Sequence, residues 1–539
     1  MAGQRTAAEA LVELLQAYGI DTVFGIPGVH NLALYRGLQD GTPRHVLPRH
    51  EQAAGFMADG YARVSGRPAA CFVITGPGVT NIATALGQAN SDSLPMLVIA
   101  TVVERADLGL GRGRLHEIPR QRELCRALAG FAETALVPEV LPELVARAFA
   151  GFVAARPRPA VIEVPVDVLV QPVWERWRPV SLPLPPHPDP GQVEAAARLL
   201  AAARRPATIL GGGALRLGRL ALDLVERLGC PVVTTVAAKG LVPESHPLSL
   251  GATLPAESTR EILARCDRLL VVGSELAETD LWRDLPKVAG RAIRVDIDPD
   301  RLADPRLPVD LAVLADSRAF VEALLPRLAE HRPAPDVEPA AVRARAIAEA
   351  GGPAELHRAV LAEIRRALPE DAVVFADMTQ IAYTGHMAFA CERPRRWLHP
   401  VGFGTLGWAL PAAIGAAFTG MREPAVVLVG DFGFQYSLAE LATAVEHVLP
   451  LVLLLWNNGG LAQIRDDMHR RALRPFATAP FNPDFPALAR AMGAEATRVR
   501  RLDGVAETVR QALAYRRPVL VELCASDIAR SAGLSVGES

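Results

Sequence analysis

Lysine is nearly absent from this chain of 539 residues: Lys239 and Lys287 stand alone, so almost all of the positive charge is arginine. The bias reads as base composition and carries no function. An excess of either charge is lacking too, with 57 basic and 59 acidic residues and a formal charge of −2. Without a broad basic face, nucleic acid is not an expected partner. Cysteine is scarce: Cys71, Cys125, Cys230, Cys266, Cys391 and Cys524 are scattered without a close pair. Neither a disulfide framework nor a thiolate zinc site is expected, and a reducing cytoplasm fits. The most apolar runs, Leu94 to Val103 and Val448 to Trp456, fall short of the ~18 residues a membrane span requires. No basic-then-apolar leader opens the sequence. The expectation is a cytoplasmic protein with no membrane partner.

Half of the residues are hydrophobic, and the length suits about three domains of ordinary size. From Ala7 to Tyr18 the residues Leu11, Leu14, Leu15 and Tyr18 recur at helical spacing, with Gly19 as the stop. Asp21 to Ile26, Cys71 to Thr75, Leu97 to Val103 and Ala160 to Val164 read as strands. Strands alternating with helices favour an α/β fold with doubly wound parallel sheets. Proline crowds Val173 to Pro190, as in a linker. A second alternating unit has strands at Ala207 to Leu210, Pro231 to Val236, Arg268 to Val272 and Ala292 to Ile297, and closes near Leu328. His331 to Gly352 is again rich in Pro, Ala and charge. A third unit opens with a helix at Leu356 to Leu368 and a strand at Ala372 to Ala376. The expected domains are 1–172, 191–330 and 353–539. The first and third begin alike in element order, without a residue-level repeat.

The chemistry concentrates between Val426 and Gly460. One apolar strand runs into Gly430, Asp431, Phe432 and Gly433, and the next ends at Asn457 and Asn458. Small molecules bind beyond the carboxyl ends of parallel strands, so Asp431 and Asn458 are expected to converge. A carboxylate, an amide oxygen and a carbonyl of the Gly459–Gly460 turn are hard donors suited to Mg²⁺, which completes its octahedron with phosphate oxygens and water. Ser437 and Glu440 have capping-box spacing for the intervening helix, whose free amides could help hold an anion.

These residues resemble the signature of the thiamine-diphosphate-dependent 2-oxo acid decarboxylase and acetolactate synthase superfamily. Phe24 to Gly28, Arg49 to Arg63, Thr75 to Gly78 and Gly404 to Gly415, in the first and third units, match it in order, and the resemblance spans all three units. Phe432 departs from the Gly-Asp-Gly of many members, with Gly433 left to supply the turn. The resemblance implies pyrimidine-binding and diphosphate-binding domains flanking a Rossmann-like middle domain. It implies a cofactor-binding set of Pro27, Gly28, Glu51, Thr75, Asn81, Thr379, Gln380, Gly404, Leu406, Asp431, Phe432, Gly433, Asn458, Gly460 and Leu461, with Asp431, Asn458 and Gly460 holding the metal. Glu51, set among Ala53, Ala54, Phe56 and Met57, is the candidate acid that tautomerises the aminopyrimidine. Such a carboxyl group works best in a dry pocket. Leu406 would prop the cofactor into its bent form, and the Gly404 carbonyl would orient the amino group. The glutamate-bearing domain of one chain would face the diphosphate domain of another, giving a homodimer at minimum and, by extension, a homotetramer.

In the middle unit Gly211, Gly212 and Gly213 follow a strand, but Arg216 stands where a dinucleotide fingerprint needs its third glycine. Substrate choice is expected from Val29 to Asn31, Arg112 to Glu117 and Gln463 to Asp467. These loops, with Gly430 to Tyr436 and Met378 to Tyr383, resemble the subfamily that converts 5-guanidino-2-oxopentanoate to 4-guanidinobutanal and CO₂. A guanidinium tail needs a carboxylate fork, for which Glu117, Asp466 and Asp467 are candidates. Val29, His30, His116 and Gln463 complete the substrate set, the histidines either as proton shuttles or as solvated loop residues. Local ion pairs with Arg114, Arg465 and Arg470 are the alternative fate of the acids. Carboligation of two 2-oxo acids, as in acetolactate synthase, and a non-catalytic cofactor-binding regulator are the alternative functions.

Overall fold

The computed structural model describes residues 5–39, 41–285, 288, 291–307, 309–329 and 337–536. The chain forms two compact units. The first comprises Met1–Leu184, Phe403–Arg422 and Gln435–Leu449; the second comprises Pro185–Gly402, Glu423–Phe434 and Pro450–Ser539. Among the described residues no helix is long and apolar enough to cross a membrane.

In the first unit, Thr6 and Glu9 form a reciprocal capping box that starts the helix Ala7–Ala17, and Leu11, Leu14 and Leu15 are buried on its inner face. Six parallel strands follow: Thr22–Gly25, Arg44–Val46, Ala70–Val73, Leu97–Val102, Phe131–Thr134 and Ala160–Pro165. Numbered along the chain, they lie in the order 2-1-3-4-6-5. The central strands are buried along their whole length because helices cover both faces, which is why they read as unbroken apolar runs. Arg5–Thr6 pairs antiparallel with Pro172–Val173, joining the two ends of this segment.

The helix Ala409–Ala417, remote in sequence, also belongs to this unit and crosses the helix Glu51–Ser65. The crossing is backbone against backbone. A Cβ on Gly60 would lie 2.0 Å from the Ala412 carbonyl oxygen, and one on Gly415 would lie 1.9 Å from that of Met57. Polar side chains fix the register. The Trp408 indole donates to Asp59 (2.8 Å), which pairs with Arg63, and Arg63 lies over the Trp408 ring and also pairs with Asp92.

The second unit holds two parallel sheets. Pro206–Leu210, Val232–Thr234, Arg268–Val272, Ala292–Asp296 and Val309–Leu314 lie in the order 2-1-3-4-5. Val373–Ala376, Trp397–Leu398, Ala425–Gly430, Leu451–Asn457, Glu495–Val499 and Val519–Cys524 lie in the order 2-1-3-4-6-5. That is the order of the first unit, so the expected likeness of opening elements extends to the whole sheet. Of the segment 331–352, residues 331–336 lie outside those described, as does Lys287; the remainder contains a helix, Pro339–Ala348.

In such sheets the ligand crevice lies where connections leave first one way and then the other, between strands 1 and 3. In the first unit this crevice is flanked by the ends of Thr22–Gly25 and Ala70–Val73, followed by Pro27–Gly28 and Thr75–Gly76. In the last sheet it is flanked by Val373–Ala376 and Ala425–Gly430, followed by Thr379–Gln380 and Asp431. In the middle sheet the corresponding ends meet directly. A Cβ on Gly211 would lie 2.3 Å from the Gly273 carbonyl oxygen, and the Gly213 N–H donates to that oxygen. The three glycines there serve close packing.

Candidate active site

Glu51 is the first residue of its helix and is 9% exposed. Its Oε2 accepts from the Asn81 side-chain amide at 2.9 Å, so two residues of the expected set touch. A residue that sequence reasoning assigned elsewhere anchors this helix start. Glu440, buried, accepts the Arg49 N–H at 2.8 Å and the His50 N–H, while Thr443 donates to its other oxygen. The expected Ser437–Glu440 capping box does not form. Ser437 ends the helix Asp431–Ser437, and Glu440 begins a separate helix, Glu440–Glu446, whose cap residue is Ala439. Two backbone donors at the entrance of the Glu51 helix compete for the same carboxylate and win.

Asn31 closes the Pro27–Gly28 turn, accepting from the Gly28 N–H and donating to the Ile26 carbonyl. Thr75 is fully buried and donates toward Gln121, with the His116 carbonyl 3.2 Å away. The rings of His30 and His116 lie 5.2 Å apart. His30 Nδ1, His116 Nδ1 and Glu117 Oε1 are buried atoms with no protein partner. His116 lies at φ +63°, a conformation that costs a non-glycine residue about 1 kcal/mol or more and recurs at functional sites. Burial, with the His116 ring beside it, holds the His30 imidazole below its ordinary pKa. Val29 is exposed. Gly404 and Gly407, both left-handed, flank Leu406. Their segment is pinned where Thr405 donates to Gln88 at 2.9 Å and where the Phe403 ring leaves no room for a Cβ on Gly87.

In the second unit Asp431 stands at the end of its strand and is 1% exposed. Its carboxylate accepts the backbone N–H groups of Phe432 and Gly460 and, at 2.5 Å, the side-chain amide of Asn482. Burial nevertheless pushes its pKa above the ordinary carboxylate range. Asn482 also donates to Asn457, and Asn458 contacts Gln380 at 3.5 Å. Asp431, Gly460, Asn457 and Asn482 therefore form one oxygen-rich cluster, and Asn458 leads from it to Gln380. Asn482 was not anticipated, since its position in an irregular segment has no local signature. Gly433 supplies no turn: the helix begins at Asp431 itself and contains both Phe432 and Gly433. The turn is at Gly459 and Gly460, at φ +81° and +119°. Leu461 is fixed by its N–H to the Thr478 carbonyl. Thr379 caps the helix Gln380–Ala388, and its hydroxyl would lie 3.0 Å from a Cβ on Gly430. A cavity of about 430 Å³ borders this cluster, lined by Asn457, Asn458, Gly459, Arg465, Arg500 and Asp527.

The carboxylates proposed for a guanidinium now differ. Asp467 pairs with Arg470 and contacts Gln463, and Asp466 accepts from Gln380 at 2.6 Å. Arg114 directs its guanidinium to Asp107 and gives Glu117 only its backbone N–H, so Glu117 keeps an unpartnered oxygen.

Three family models match the sequence: the N-terminal thiamine pyrophosphate binding domain over residues 5–124, the central domain of those enzymes over 193–324, and the C-terminal thiamine pyrophosphate binding domain over 377–523. The probable 2-ketoarginine decarboxylase of Pseudomonas aeruginosa is 52% identical over 526 residues, spanning 96% of this chain and 94% of that protein. The chain belongs to the thiamine pyrophosphate enzyme family. An acetolactate synthase large subunit of Mycobacterium tuberculosis is 32% identical over 557 residues, covering 96% of this thiamine pyrophosphate enzyme and 88% of the relative. In fold, the enzyme matches the crystal structure of a candidate thiamin diphosphate-dependent enzyme from Mycobacterium smegmatis, with a TM-score of 0.83 at 22% identity over 97% of this chain and 99% of that one.

The residues present fit the cofactor. Among those described, no group of three His, Cys, Asp or Glu side chains is placed to hold a metal. The candidate cation site therefore rests on one carboxylate with amide and peptide oxygens, the hard set that Mg²⁺ takes beside phosphate. When bound, thiamine diphosphate supplies an electron sink for breaking a bond beside a carbonyl. Asp431, Asn458 and Gly460 would hold the metal, and Glu51 would meet the aminopyrimidine.

Proposed function

We propose that this enzyme is a Mg²⁺-dependent, non-oxidative decarboxylase of 2-oxo acids, acting on 5-guanidino-2-oxopentanoate to give 4-guanidinobutanal and CO₂. The observation that carries the substrate is the trio of buried, unpartnered atoms on His30, His116 and Glu117. A guanidinium donates in a fork, and a carboxylate with a free oxygen is its natural acceptor. The 52% identity to a protein named for 2-ketoarginine supports the same reading. Replacing the lost carboxylate by hydrogen consumes one proton, and His30 or His116 can deliver it. Glu51, held by Asn81, would move a proton at the pyrimidine ring. We further propose that copies assemble as a homodimer or homotetramer and work in the cytoplasm.

The test is a product assay with thiamine diphosphate, Mg²⁺ and either the guanidino acid or pyruvate. Guanidinobutanal and CO₂ are expected, with turnover lost on chelation and restored by Mg²⁺. Acetolactate without the aldehyde would reject the assignment in favour of carboligation, as the acetolactate synthase relatives suggest. Glu117→Gln should weaken use of the guanidino acid by about 10–100-fold, the worth of a charged hydrogen bond, and spare an uncharged 2-oxo acid.

A further inference from the structure

We propose that Gln121 is a positioning residue for this site, holding the Thr75–Gly76 turn against the loop that carries His116. The proposal rests on the reading of Thr75 and His116 given above.

Gln121 opens the helix Gln121–Leu128 and is 2% exposed. Its Oε1 accepts from the Thr75 hydroxyl at 2.9 Å and the Gly76 N–H at 3.0 Å. Its Nε2 donates to the Thr101 carbonyl at 3.1 Å and to Glu163 Oε1 at 2.8 Å. All four bonds an amide can make are thus made. The turn and the loop touch directly, since a Cβ on Gly76 would lie 2.4 Å from the His116 carbonyl oxygen. The turn also starts the helix Pro77–Ser91, which carries Asn81, the partner of Glu51. One amide therefore fixes the turn that meets the His116 carbonyl on one side and starts the Asn81 helix on the other.

The amide is needed in one orientation. Its oxygen faces an N–H that can only donate, and its NH₂ faces the buried carboxyl of Glu163, which also accepts from Thr134. Gln121→Glu would set two carboxyl groups against each other, and such a pair ionises fully only at raised pH. The groups that act on Glu163 are Gln121, Arg122, Glu123 and Cys125 on the Gln121 helix and Thr134 on the adjacent strand.

The experiment combines hydrogen exchange on the apoprotein with thiamine diphosphate binding by calorimetry and the pH profile of kcat/KM. Gln121→Leu should speed amide exchange in the peptides covering 75–80 and 112–118 by tenfold or more, leave the strands from Pro206–Leu210 to Val309–Leu314 unchanged, and weaken cofactor binding by tenfold or more. Gln121→Glu should keep activity at low pH and lose at least tenfold as pH rises, a step absent from the parent. Glu163→Gln in the same chain should abolish that step. Unchanged exchange in both peptides, or a Gln121→Glu profile that superimposes on the parent, would overturn the proposal. If Gln121→Leu does not fold, the Gln121→Glu series decides alone. Exchange needs no substrate, so failure to decarboxylate the guanidino acid would reject the function while leaving Gln121 to be judged on exchange and binding.

Discussion

Gly60→Ala sets two known effects against each other at the helix crossing of the first unit. In a free helix the exchange is favourable by about 1 kcal/mol. Here the new methyl would sit 2.0 Å from the Ala412 carbonyl oxygen and 2.6 Å from its Cα. Carbon and oxygen make contact at about 3.3 Å, so the helices must part by more than 1 Å. Both obstacles are main chain, and no rotamer relieves them. Separation also loosens a helix whose residues from Ala409 to Ala416 are all buried. Overpacking of this kind costs about 1–3 kcal/mol, and the rigid obstacle places it at the upper end. A net loss of about 2 kcal/mol should lower the calorimetric midpoint of a unit of this size by about 4–8 °C. Gly151→Ala is the matched control: Gly151 lies inside the helix Leu141–Ala154, with nothing within 4 Å of its Cβ position. It should raise stability by about 0.4–1 kcal/mol. Midpoints that move in the same direction for both variants would refute the crossing.

Three other substitutions probe the site and its supports. Glu51→Gln should leave thiamine diphosphate affinity within about threefold in calorimetry while slowing proton exchange at the thiazolium carbon by about 100-fold or more; an unchanged exchange rate removes its role. Glu440→Ala strands two backbone donors at the helix entrance and should cost about 2–4 kcal/mol, with faster amide exchange at Arg49 and His50; equal exchange would contradict the clamp. Burial lowers the pKa of His357 to about 4, so its neutral form is favoured by folding. That stability is complete above about pH 6.5 and is lost as pH falls toward 4, reaching about 3 kcal/mol. His357→Gln should flatten this limb of urea-midpoint against pH.

The sheets were legible because strands buried on both faces leave apolar runs such as Leu97–Val102 and Leu451–Asn457. The strand Val309–Leu314 was missed because Asp310 and an exposed Leu314 interrupt its pattern at a sheet edge. That polar residues gather beyond the ends of the strands Ala425–Gly430 and Leu451–Asn457 was legible from the parallel fold, whereas the partner that Asp431 takes there besides Gly460 is Asn482, and Asn458 contacts Gln380 instead. Asn482 and Glu440 were not, since each acts on a partner far along the chain: Asn482 on Asp431, Glu440 on Arg49. The Ser437–Glu440 spacing misled for the same reason, a local cap losing to a long-range contact. Gly60 and Gly415 did carry a signal, small residues on two helices, but nothing local pairs one with the other.

The crossing of those two helices has a consequence for biosynthesis. Trp408 and Asp59 are 349 residues apart. At roughly 5–20 residues per second, the ribosome needs about 20–70 s to make the second helix after the first has emerged. Throughout that interval the face of the helix Glu51–Ser65 that carries Asp59 and Gly60 lacks the helix that covers it in the finished chain. Translation rate and chaperone supply, more than the final stability of the enzyme, should therefore govern how much of it is recovered from cells.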